Sequence, residues 1–131
     1  MSSQRKRVLI VDDSPTAVLW QELLLQVDSY ETLTAYDGEE GVRMARQELP
    51  DLILLDVSMP TMGGLDACRL LRSMPETRDI PILMVTTHSD MENVLAGFNA
   101  GCNEYLTKPL ERAEYLAKVR SYLNRNPQGA A

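Results

Sequence analysis

Histidine is almost missing from this chain: His88 is the only one in 131 residues. Cysteine is nearly as scarce, with Cys68 and Cys102 far apart and no Cys-x-x-Cys spacing. That argues against a zinc site or a dithiol redox motif, whose ligands come at short fixed intervals. Both cysteines fall within apolar patterns, so two buried free thiols are expected. Basic residues are outnumbered, 13 against 19 acidic, for a net charge of −6. This balance argues against direct nucleic-acid binding, which needs clustered lysine and arginine. The basic run Arg5-Lys6-Arg7 precedes the first apolar segment and reads as part of a solvated tail. No apolar stretch is long enough to span a bilayer, and the polar start lacks a signal peptide's apolar core. The expectation is a cytoplasmic protein with no membrane insertion. No GxxxxGK loop occurs, so no bound nucleotide is implied.

What is present is ordinary globular composition, 44% apolar and 24% charged, at one domain's length. Short apolar runs alternate with amphipathic stretches, without internal repeats. "RVLIVDD" is a continuous β-branched run, the mark of a strand covered on both faces. Ser14-Pro15 then offers a helix cap with proline at the first helical position. Ala17, Trp20, Leu23, Leu24 and Val27 recur at helical spacing as a buried face, leaving Val18, Leu19 and Leu25 as a candidate docking surface. "ETLTAY" is a weaker strand. "DGEEGVRMARQEL" follows as a helix, with Asp37 and Glu40 resembling a capping box. "PDLILLDVSMP" is the most apolar strand and should be central. In the helix "GGLDACRLLRSM", Leu65, Cys68 and Leu71 face inward. "IPILMVTT" is a fourth buried strand. "SDMENVLAGFNAG" is a helix capped by Ser89 or Asp90 and stopped at Gly101. "NEYLTKP" is a short fifth strand. In the last helix, "ERAEYLAKVRSYLNR", Leu116, Val119 and Leu123 share a face. Five strand–helix alternations predict a parallel α/β sheet with helices on both faces.

In such sheets the site lies beyond the carboxyl ends of the strands. The first strand ends in Asp12-Asp13, the third in Asp56, the fourth in Thr86-Thr87 and the fifth in Thr107-Lys108-Pro109. Three carboxylates, hydroxyls and one ammonium therefore meet in one cleft. Packed carboxylates repel and are costly to desolvate, so cations must compensate. Lys108 supplies one charge; a hard divalent ion with oxygen ligands, for which magnesium fits, supplies the rest. Such a set suits phosphoryl transfer, and Asp56 is the residue placed to act as nucleophile. A phosphatase of the aspartyl-phosphate type would need a second carboxylate two residues on, where Ser58 stands. A degenerate scaffold would not keep the complete acidic, hydroxyl and lysine set. His88 reads as an exposed loop residue, and Met62-Gly63-Gly64 as a loop needing unusual backbone angles.

"VLIVDDSPT", "DLILLDVSMPTMGGLD", "ILMVTT" and "YLTKP" together resemble the receiver domain of two-component response regulators, of the chemotaxis-regulator kind. The resemblance covers residues 7–124, with 1–6 as an N-terminal tail and 125–131 as a C-terminal tail or linker start. It implies a (βα)5 sandwich with a five-stranded parallel sheet of flavodoxin-like order 2-1-3-4-5. It implies that Asp56 takes a phosphoryl group from a histidine kinase or phosphotransfer protein. Mg²⁺ would be held by Asp13, Asp56 and the backbone carbonyl of Ser58, with Asp12 acting largely through water. Lys108 would pair with Asp56 and then with its phosphate. Pro109 would fix the loop that aims Lys108, in a cis bond as in many members. Thr86 would donate its hydroxyl, and the backbone of Val57, Ser58 and Thr87 would line the phosphate. Thr86 and Tyr105 would form the switch that reshapes the face of the fourth helix, fifth strand and fifth helix for a downstream protein. Ser58 and His88 would flank the path of the hydrolytic water, and Thr87 stands where a smaller residue is common. The protein would be a signalling switch rather than a metabolic enzyme, a monomer or a phosphorylation-dependent dimer. Either it stands alone, or it is a receiver cut from a longer regulator with a separate output domain.

Overall fold

The computed structural model describes residues 5–124. The expected tail or linker at 125–131, and most of the N-terminal one, lie outside the described residues. Among these, the sheet comprises β1 (Arg7–Val11), β2 (Glu31–Ala35), β3 (Leu52–Leu55), β4 (Ile82–Thr86) and β5 (Glu104–Thr107). All pairings are parallel and the order is β2-β1-β3-β4-β5, with β3 at the centre as its composition suggests. The helices are α1 (Pro15–Leu25), α2 (Gly38–Glu48), α3 (Gly64–Ser73), α4 (Met91–Ala100) and α5 (Arg112–Leu123).

Residue alternation along the strands builds two apolar layers. Val8, Ile10, Leu52, Leu54, Leu83 and Val85 face α1 and α5. Leu9, Val11, Ile53, Leu55, Ile82 and Met84 face α2, α3 and the end of α4. With both faces covered, every position of β3 and β4 is buried, so these strands are continuously apolar. Each buried Leu or Ile here stabilises the fold by about 1.5–3 kcal/mol. Cys68 and Cys102 are buried free thiols within the second layer, where burial pushes the Cys102 thiol up to about 12.

The caps lie where local chemistry places them. Ser14 Oγ accepts from Ala17 N at 3.2 Å, ahead of Pro15. Asp37 accepts from Glu40 N at 2.7 Å, while the Glu40 carboxylate accepts from Tyr36 N at 2.8 Å. Asp90, rather than Ser89, caps α4, and Gly101 ends it at φ 112°.

Three expectations are corrected. The buried residues of α1 are Val18, Gln21, Leu24 and Leu25, whereas Trp20, Leu23 and Val27 are about half exposed together with Leu19. Gln21 misleads because a glutamine breaks an apolar stripe. Here it is buried on that stripe, accepting a hydrogen bond from the equally buried Tyr115 hydroxyl of α5 at 3.0 Å. Secondly, Arg5 and Arg7 are not a loose tail. Arg5 donates to the carbonyls of Ser29 and Tyr30, and Arg7 to the Glu48 carbonyl and carboxylate. Thirdly, Gly63 and Gly64 do not adopt positive φ; Thr61 does, at 68°. Gly64 answers a close approach instead, since a Cβ there would sit 2.1 Å from the Asp56 carbonyl oxygen. The first turn of α3 thus lies directly against the backbone of Asp56.

The Tyr115–Gln21 pair yields a prediction. Tyr115→Phe leaves a buried amide without its donor and costs about 1–3 kcal/mol in urea unfolding. Adding Gln21→Leu to that variant restores much of the loss, because both polar partners are then gone. An additive further loss in the double variant would contradict this.

Candidate functional site

Hydrogen bonds that run past the strand ends set the positions of the site residues. Asp12 N donates to Ala35 O at 3.1 Å, Asp56 N to Val11 O at 2.9 Å, and Lys108 N to Thr86 O at 2.7 Å. Each residue is the first after its strand, and each is tied to the end of the neighbouring strand. The sheet's parallel register therefore brings residues 12, 56 and 108 to one rim.

On that rim, carboxylate oxygens of Asp12, Asp13 and Asp56 all lie within 4.8 Å of one another. Asp12 is 1% exposed and Asp56 7%, while Asp13 faces solvent. Lys108 Nζ donates to Asp12 Oδ2 at 2.8 Å and lies 3.9 Å from Asp56 Oδ2. The nearer partner of the lysine is thus Asp12, whereas the resemblance implied Asp56. The Lys108–Pro109 peptide bond is cis. Burial above all, and next the charge of Asp12, push the Asp56 carboxyl up from its ordinary value, with Lys108 opposing. A buried carboxylate that resists ionising beside two others, with one ammonium shared among them, is short of positive charge. Hard oxygen donors at this spacing fit a small divalent cation.

Thr86, at the end of β4, is fully buried. Its Oγ1 accepts from His88 N at 3.3 Å, and the His88 carbonyl accepts from the Tyr105 hydroxyl at 2.7 Å. The Tyr105 ring lies against α4 at Gly97, where a Cβ would come within 2.9 Å of the ring. The His88 ring in turn shares a hydrogen bond with Ser58 Oγ at 2.5 Å, while Ser58 N donates to Asp56 Oδ1 at 3.4 Å. His88 is therefore half-buried and hydrogen-bonded from both backbone and ring, not the free loop residue expected. Only its position two residues after Thr86, opposite Ser58 two residues after Asp56, signalled this. Val57 and Thr87 directly follow residues of the same rim, on adjacent strands.

This arrangement has relatives. The family model of the response regulator receiver domain matches residues 8–120. The DNA-binding response regulator MtrA of Mycolicibacterium smegmatis is 36% identical over 126 residues, 96% of this chain and 54% of its own. Response regulator PleD of Caulobacter vibrioides is 41% identical over 115 residues, 88% of this chain and 25% of its own. The chain thus spans about half the length of the former and a quarter of the latter. Among solved structures, Vibrio cholerae chemotaxis protein CheY4 superposes with a TM-score of 0.85 at 32% identity, covering 92% of this chain and 100% of its own. The receiver domain of a sensor histidine kinase from Pseudomonas aeruginosa PAO1 does so with a TM-score of 0.86 at 29% identity, covering 93% and 100%. That structure holds a magnesium ion coordinated in its active-site cleft. With the acidic rim, the lysine and the sheet order all in place, the chain belongs to the response regulator receiver domains of two-component signalling.

Proposed function

We propose that Asp56 accepts a phosphoryl group from the phosphohistidine of a histidine kinase or phosphotransfer protein, and that this switches the face of α4, β5 and α5 toward a protein target. The observation that carries the reading is the convergence of Asp12, Asp13 and Asp56 beside the Lys108 ammonium. A carboxylate oxygen of Asp56 bonds phosphorus as the phosphorus–nitrogen bond breaks and the donor imidazole leaves. Lys108 neutralises the phosphoryl oxygens, Thr86 donates its hydroxyl to one of them, and the backbone of Val57, Ser58 and Thr87 lines the group. Asp13, Asp56 and the backbone carbonyl of Ser58 would hold Mg²⁺, with Asp12 acting through water. When bound, the ion supplies charge neutralisation between the carboxylates and the phosphoryl oxygens. The only reactions catalysed are the domain's own phosphotransfer and dephosphorylation.

The switch reading is supported by the chain of contacts from Thr86 through His88 to Tyr105 and α4. A phosphoryl group adds charge and acceptor oxygens at one point, and a hydroxyl drawn toward it leaves its former partner. Met91, Leu95 and Phe98 of α4 are exposed apolar side chains, suited to a protein target or a second copy. On the opposite flank, a cavity of about 290 Å³ lies beside Lys108, lined by Ala17, Trp20, Gln21, Pro109 and Leu110. With the exposed apolar side of α1, it gives the phosphodonor a surface next to the chemistry.

Incubation with acetyl phosphate and Mg²⁺ is expected to give one acid-stable, base-labile phosphoryl adduct per chain, absent in Asp56→Asn. Steady turnover of phosphate esters would indicate a hydrolase, and no adduct at all a scaffold.

A second prediction follows from the raised Asp56 carboxyl. Its neutral form is the one the fold prefers, so its stabilising contribution is complete at low pH and lost as pH rises through the folded value. At pH 7 in EDTA, Asp56→Asn is therefore expected to raise Tm. That difference shrinks as pH falls toward the ordinary aspartate value of about 3.9. Mg²⁺ at about 100 times its Kd stabilises the native protein by about 2.7 kcal/mol, and the variant by much less. Equal Mg²⁺ shifts in both proteins would contradict the assignment of Asp56 as a ligand.

A further inference from the structure

Two of the proposed cation ligands lie on different parts of the chain. Asp13 follows β1, whereas the Ser58 carbonyl belongs to the loop between β3 and α3. The first turn of α2 touches both regions. A Cβ added at Gly38, the first residue of α2, would overlap the Met62 carbonyl oxygen and lie 3.0 Å from the Met62 carbonyl carbon. A Cβ at Gly41 would lie 2.8 Å from a methyl of Val11, the last residue of β1. Neither glycine has positive φ, so close approach is what each answers. The loop is itself compact. Gly64 N donates to Val57 O at 2.9 Å and closes it, Ser58 N donates to Asp56 Oδ1 at 3.4 Å, and Met59 and Met62 are half-buried against the second apolar layer. The start of α2 is equally fixed. Asp37 Oδ1 accepts from Glu40 N at 2.7 Å, and Glu40 Oε1 accepts from Tyr36 N at 2.8 Å. Just before this turn, Ala35 O accepts from Asp12 N at 3.1 Å. A stiff loop therefore meets a stiff helix start with no side chain of residue 38 between them. A path of contacts leads from Asp12-Asp13 through Ala35 and Gly38 to Met62 and Ser58.

We infer that Gly38 is a positioning residue for the cation: its contact with the Met62 carbonyl braces the loop and so sets the separation between the Ser58 carbonyl and the carboxylates of Asp13 and Asp56. The inference rests on the reading that these three groups hold Mg²⁺. Gly38 itself touches neither the ion nor a reacting atom. Any side chain at residue 38 forces the loop and α2 apart. Because α2 is tied to β1 through Ala35 and Gly41, the loop is the part that yields. Mg²⁺ demands near-octahedral geometry at about 2.0–2.1 Å, whereas Ca²⁺ accepts irregular coordination at about 2.3–2.6 Å. A displaced carbonyl thus costs Mg²⁺ more than Ca²⁺, whichever way it moves. On helix propensity alone an alanine would favour α2, so a loss of Mg²⁺ affinity would come from the contact and not from the helix. The brace makes the site selective for the smaller ion.

The test titrates Mg²⁺ and Ca²⁺ separately, by calorimetry, into native protein, Gly38→Ala, Met62→Ala and Tyr115→Phe. Loss of the support behind a ligand corresponds to roughly tenfold weaker Mg²⁺ binding in Gly38→Ala, with Ca²⁺ weakened by no more than about threefold. The preference for Mg²⁺ over Ca²⁺ therefore falls. Met62→Ala removes the loop's anchor in the apolar layer and keeps the carbonyl. It should shift the preference the same way, and it decides the matter should Gly38→Ala fail to fold. Tyr115→Phe, destabilised at the contact of α5 with α1, should keep the native preference, since lost stability alone does not choose between ions. A preference within about twofold of native in the folded loop or helix variant, or an equal shift in Tyr115→Phe, would overturn the brace. If native protein binds neither ion, the cation reading fails and the brace with it; if all four proteins bind both ions with the same preference, only the brace fails.

Discussion

The ammonium of Lys108 against the buried carboxylate of Asp12 is the contact on which the site depends. Pairs of this kind add little net stability, because desolvating both charges offsets most of their attraction. Their effect here is positional. Lys108 is held at the rim by its backbone bond to Thr86 and by its side chain to Asp12, and it lies within 3.9 Å of Asp56 without being committed to it. A cation so placed lets three carboxylates share one cleft, yet leaves the group under strain from its own charge. Carboxylates crowded in this way favour further positive charge beside them.

The sheet is what makes this arrangement rigid. β1, β3 and β4 are buried on both faces, so a one-residue slip would exchange the residues of the two apolar layers and draw polar strand-end residues into the core. Register is thereby specified by burial, and the position of each strand-end residue follows from register. The approach of α3 to Asp56 adds a second constraint, since at Gly64 even a methyl group would collide with the Asp56 carbonyl. Asp56 is pinned in front by its hydrogen bond to Val11 and behind by a helix.

Beyond this fixed floor, the contacts run through loops. Thr86, His88 and Tyr105 are linked by hydrogen bonds between backbone and side chain, and Tyr105 ends against the small residue Gly97 of α4. Such contacts have discrete alternatives, since a hydroxyl bonds either one partner or another, and an aromatic ring occupies a pocket or leaves it. α4 also carries the exposed apolar side chains Met91, Leu95 and Phe98.

The strands, the caps and the acids that end the strands were legible in the sequence because each has a local cause. Two-sided burial makes β3 and β4 continuously apolar, and Ser14, Asp37 and Asp90 cap their helices through bonds three residues long. Alternation of five strands and helices then brings Asp12, Asp13, Asp56, Thr86 and Lys108 to one rim. What the tertiary structure decided are contacts between residues far apart in the chain. Gln21 is buried only because Tyr115, 94 residues later, meets it, so the buried face of α1 differs from its most apolar stripe. Lys108 lies nearer Asp12 than Asp56, at 2.8 Å against 3.9 Å, a choice made across the sheet. Gly64 is explained by the helix's approach to Asp56, and His88 by a serine 30 residues before it. Periodicity reports which side of an element is apolar. Only packing selects which polar groups meet there.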